Sequence, residues 1–117
     1  MVVVLNYQFE NSIMKGLIPL AQRFIAGTST RTVSARKLHE VLGVGRDFTN
    51  WIRSRIQQYG FVENQDFIVC SPKRGSKQRG GHNAKEHYVT LDMAKELAMV
   101  ERSDKGREAR RYFIECE

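Results

Sequence analysis

Two runs of helical apolar spacing meet at Gly43, Val44 and Gly45, and this junction limits the fold more than any other feature of the chain. On its N-terminal side Ser34 is a good N-cap. Leu38, Val41 and Leu42 then lie on one side of a helix over 35–42, which Gly43 can end in a left-handed conformation. On the other side Phe48, Trp51, Ile52, Ile56 and Tyr59 fall at i, i+3, i+4, i+8 and i+11, which predicts a helix from Arg46 or Asp47 to about Tyr59. The opposite edge of that helix carries Arg46, Asn50, Arg53 and Gln57. A helix, a glycine turn and a second amphipathic helix make a helix-turn-helix, whose second helix can enter the DNA major groove and read base edges. Two positions depart from the usual signature: His39 stands where a small residue is common, and Thr49 where an apolar one is. The same pattern also suits two core helices joined by glycines, and Trp51, inside the apolar stripe, reads as core rather than as a base-stacking platform.

Downstream, Asp66 to Cys70 and Glu86 to Thr90 are short β-branched and aromatic runs, expected to pair as an antiparallel hairpin. Between them, residues 70–85 hold five Lys or Arg, no acid, three glycines and one proline, a composition that predicts an irregular basic loop at the hairpin tip. This segment explains the charge of the chain. The net value is +6 overall, but it divides as +2 over 1–32, +1 over 33–69, +5 over 70–85 and −2 over 86–117. A helix-turn-helix followed by a hairpin tipped with Lys73, Arg74, Lys77 and Arg79 follows the plan of a winged helix, and such cations can track phosphates without reading sequence.

Beyond the hairpin, Thr90 is expected to cap a helix through Leu91, Ala94, Leu97, Ala98 and Glu101. Ser103 should cap a last helix with Ala109, Tyr112, Phe113 and Cys116 on its apolar side. Arg107, Arg110 and Arg111 are interleaved with Asp104, Glu108 and Glu115, which reads as pairing along an exposed helix face. At the other end, residues 11–26 read as a helix through Ile13, Leu17, Leu20, Ala21, Phe24 and Ile25, kinked or started near Pro19, with 28–31 as a polar connector. The fold expected is therefore α+β: a helix-turn-helix, a basic-tipped winged-helix-like hairpin and two C-terminal helices.

The 117 residues suffice for one core. Cys70 and Cys116 lack metal-ligand spacing and read as reduced thiols, and His39, His82 and His87 share no metal-like spacing either. No phosphate loop, nucleophile elbow, paired-carboxylate motif or zinc signature occurs, so the reading is non-enzymatic, with no catalytic residue, metal or cofactor. No apolar run is long enough to span a bilayer, and the N-terminal Val-rich run lacks a basic leader; a cytoplasmic protein is expected.

The segments VSARKLHEVLGVGRDFTNWI over 33–52, YGFVE over 59–63, LDMAKELAMVE over 91–101 and RRYFIEC over 110–116 together resemble the AntA/AntB antirepressor domain of temperate phages and prophages. The resemblance covers 33–117 and leaves 1–32 as a variable N-terminal segment. It implies a phage regulator, active in the bacterial host cytoplasm, that antagonises a lytic repressor. It also directs attention to Arg36, His39, Arg46, Asp47, Asn50 and Trp51, the last as support rather than contact. The residues taken by themselves leave three functions open: binding of double-stranded DNA, docking on an acidic repressor surface, or dimerisation through 11–26 and the final helix. The candidate binding residues are Arg36, His39, Arg46, Asn50, Arg53, Lys73, Arg74, Lys77 and Arg79, supported by Asp47 and Trp51, in a homodimer. Because the last helix runs to the end of the chain, the domain is expected to be the targeting part of a larger regulator.

Overall fold

The computed structural model describes residues 13–71 and 85–117. A helix, α1, is described over 13–17. It is followed by strands β1 (Leu20–Ile25) and β2 (Thr28–Ser34), helices α2 (Ala35–Leu42) and α3 (Phe48–Tyr59), strands β3 (Phe67–Cys70) and β4 (Glu86–Thr90), and helices α4 (Leu91–Val100) and α5 (Asp104–Cys116). The four strands form one antiparallel sheet in the order β1-β2-β4-β3.

The helix starts are set locally. Ser34 ends β2 and its hydroxyl accepts from the backbone of Lys37 at 3.3 Å, so strand passes into helix without a loop. Thr90 makes the same junction from β4 into α4, accepting from Met93 at 3.2 Å, and Ser103 caps α5 through Gly106 at 3.0 Å. Gly43 and Gly60 close α2 and α3 at φ values of 67° and 71°, where a side chain would be strained. Across the sheet, Val33 faces Val89 and Val89 faces Phe67, all buried, and this row packs with Leu38, Trp51, Ile52, Leu97 and Phe113 in one core.

The expected helix over 11–26 is corrected. Helix ends at 17, Pro19 follows it, and Leu20–Ile25 is a strand paired with β2. The proposed connector over 28–31 is the first half of β2. Proline cannot continue the helical ladder, and Ile25 and Thr28 are joined through Ala26 and Gly27, both at positive φ, as a two-residue hairpin turn requires. The β3–β4 hairpin is therefore the outer half of a four-stranded sheet. Met14 and Ile18 reach the same core as α5, and the Tyr112 hydroxyl donates to the Ile18 carbonyl at 3.0 Å. Cys70 and Cys116 are free thiols, both half-buried. Among the described residues no helix is long and apolar enough to cross a membrane.

Candidate binding cleft

The turn between α2 and α3 is held by side chains the sequence offers as binding residues. Asp47 caps α3, its carboxylate accepting from the Asn50 backbone at 3.0 Å and from the Asn50 side-chain amide at 2.8 Å. Those bonds, the backbone one foremost, hold the Asp47 pKa below its ordinary value. Arg46 lies along the helix and donates to the Ser54 hydroxyl at 3.3 Å. His39 Nε2 is 2.8 Å from the Arg46 carbonyl, and the ring packs on Phe48 and Trp51 with centroids 5.7 and 5.1 Å away. Arg36 clamps α2 to β4: its guanidinium sits 4.4 Å over the Phe48 ring, its Nε donates to the Lys85 carbonyl at 3.2 Å, and the Glu86 carboxylate is 3.6 Å away.

Arg53 is placed differently. With Thr49, Ile56 and Gln57 it lines one wall of a cleft of about 560 Å³ between α3 and the β3–β4 hairpin. Ile52, Ile56, Phe67 and Val69 give that cleft an apolar floor, while Arg53, Lys85 and the acid Glu63 supply its charges. His87 closes one side, stacked on Phe67 at 5.9 Å and edge-on to Phe48 at 5.6 Å. Its Nδ1 is buried without a hydrogen-bond partner. Burial first, then the charges of Arg36 and Lys85, lower its pKa, with Glu63 acting the other way.

Of the candidate residues, then, Arg53 lines the cleft and Arg36 borders its β4 side, whereas His39, Arg46 and Asn50 make contacts within the helix-turn-helix. Trp51 is buried and its indole N–H donates to Glu101 at 2.9 Å, a carboxylate shared with Arg55 at 3.0 Å. Lys73, Arg74, Lys77 and Arg79 lie outside the described residues. The sequence reading missed Lys85, His87 and Val69 as cleft residues and Arg55 and Glu101 as the polar anchor of Trp51. A period of two was the available signal for the first group, since Lys85, His87 and Val89 alternate along one strand side, with Val69 opposite His87 and Phe67 opposite Val89.

A family model described as AntA/AntB antirepressor matches residues 33–103. Comparison with curated proteins and with solved structures gave no match. The matched region begins within β2 and ends at the Ser103 cap of α5, short of the position 117 to which the sequence resemblance extends. It takes in α2, α3, both hairpin strands and α4, and so the whole lining of the cleft. With more than half of its length matched in this way, the chain belongs to the AntA/AntB antirepressor family, a family of regulators.

Proposed function

We propose that the chain relieves repression of phage lytic genes by docking a segment of a repressor protein in the cleft between α3 and the β3–β4 hairpin. The observation that carries this reading is the cleft: a concave apolar floor rimmed by two cations, Arg53 and Lys85, against one acid, Glu63, beside an α3 edge where Asn50 and Arg46 are already engaged. Concave apolar surface with a few convergent charges suits a protein segment, and the cationic rim favours an acidic one. The regulator works in the bacterial host cytoplasm, as a homodimer, without a cofactor. Co-precipitation with the repressor encoded beside the gene tests the docking. The double variant Arg53→Glu/Lys85→Glu should weaken capture at least about tenfold, while Asn50→Ala, away from the cleft, should not. Equal capture by all three proteins overturns the reading.

A second reading is carried by the excess of five positive charges over 70–85. In it the hairpin acts as a wing that follows DNA phosphates while α3 faces the groove. Gel shift with random duplex DNA separates the two. Neutralising Lys73, Arg74, Lys77 and Arg79 should flatten the slope of log affinity against log salt by about 3 to 4 units; an unchanged slope removes DNA as the ligand of this segment.

A further inference from the structure

Met99 stands 52% exposed near the end of α4, and Ile114 of α5 is 43% exposed. A cleft opens on each side of the ridge formed by Met99 and Arg110, which line both. One cleft, about 310 Å³, has Arg102, Arg107 and Arg110 as its charged side chains. The other, about 400 Å³, holds Asp66, Asp92 and Glu96 besides Lys95 and Arg110. Arg107 pairs with Asp104 at 3.3 Å, but among the described residues no carboxylate lies within 4.0 Å of Arg102 or Arg110. The corner is tightly built, because α4 and α5 touch where Gly106 meets the Ala98 carbonyl.

A positive cleft and a cleft of three acids against two bases, one of them Lys95 paired with Asp92 at 3.3 Å, flank a ridge of Met99 and Arg110, and the two clefts are complementary in charge. A nucleic acid or a uniformly acidic protein would be drawn to the first cleft and repelled by the second. A two-fold axis through the ridge at Met99 instead sets Arg102 and Arg107 of one copy against Asp92 and Glu96 of the other, twice, with Ile114 flanking the acidic side. We infer that this α4–α5 corner is the homodimer interface, an inference that rests on the homodimer reading above and assigns its surface.

Light scattering on the whole chain at micromolar concentration and low salt should give twice the 13.5 kDa chain mass. Arg102→Glu/Arg107→Glu and Asp92→Lys/Glu96→Lys should each weaken self-association at least about tenfold, because like charges then face each other at both contacts. Mixed in equal amounts, the two variants should form a heterodimer, since every contact again joins opposite charges. Far-UV circular dichroism checks that each variant is folded, and if one is not, Met99→Glu on the exposed ridge supplies the same reading. A monomeric wild-type chain overturns the homodimer reading and this inference together. A dimer indifferent to both charge reversals, or reversals that are not rescued by mixing, overturns the interface and leaves the dimer.

Discussion

Two residues past the end of α4, Arg102 holds a φ of 50°, where a Cβ crowds the neighbouring carbonyl. Its backbone N–H donates to the Met99 carbonyl at 3.3 Å, so the conformation is the one that closes the helix. Glycine adopts it freely. Arg102→Gly should therefore raise the unfolding free energy in a urea titration by about 0.5–1 kcal/mol. The residue before it has the opposite expectation. Glu101 accepts from both Trp51 and Arg55 in a half-buried setting, and Glu101→Ala leaves an indole N–H and a guanidinium without that partner, at a cost of about 2 kcal/mol. His87 supplies a pH dependence. Its pKa is lowered in the folded state, so the unfolded chain takes up a proton as pH falls through about 6.5 while the folded chain does not until lower pH. Stability contributed by the neutral ring is thus present above that range and lost below it. The drop in urea midpoint between about pH 7.5 and about pH 5.5 should be smaller for His87→Gln than for the wild-type chain; equal drops would remove His87 as the cause.

Among the elements, the crossing of α4 and α5 admits the least change. A Cβ at Gly106 would stand 2.5 Å from the Ala98 carbonyl oxygen, a backbone atom that cannot step aside without moving its helix. Gly106→Ala should destabilise by about 1–3 kcal/mol, read as a lowered thermal midpoint. The elements the sequence makes legible are those written locally. Ser34, Asp47, Thr90 and Ser103 each cap the helix that follows, and Gly43 and Gly60 each stop one, so α2, α3, α4 and α5 can be placed to within a residue or two. β1 is not written that way. Leu17, Leu20, Ala21 and Phe24 satisfy a helical period, and the alternation along β1 is blurred because Leu20 and Phe24 are exposed. Its hairpin turn is Ala26-Gly27, without the Asn or Asp that usually announces one. The threonines at 28, 30 and 32 are β-formers and were the signal available for β2.

At the scale of the molecule, the helix periodicity separates a buried from an exposed side of α3 but cannot say what the exposed side meets. Arg46 and Arg53 read alike in the sequence, yet one bends onto Ser54 and the other faces the hairpin, because β3 and β4 arrive from residues more than a dozen positions away. The cleft is a product of topology, and its β4 wall follows from the pairing of β4 with β2 on one side and β3 on the other. The same topology ties the N-terminal part to the last helix. Tyr112 donates to the Ile18 carbonyl, and Arg31 to the Cys116 carbonyl. Burial raises the Tyr112 pKa, so its hydroxyl keeps the donated proton across the working pH range. Segments separated by most of the chain thus open together or not at all: in native-state hydrogen exchange the amides of Ile18 and Phe113 should share one protection factor, set by global unfolding rather than by fraying of either part.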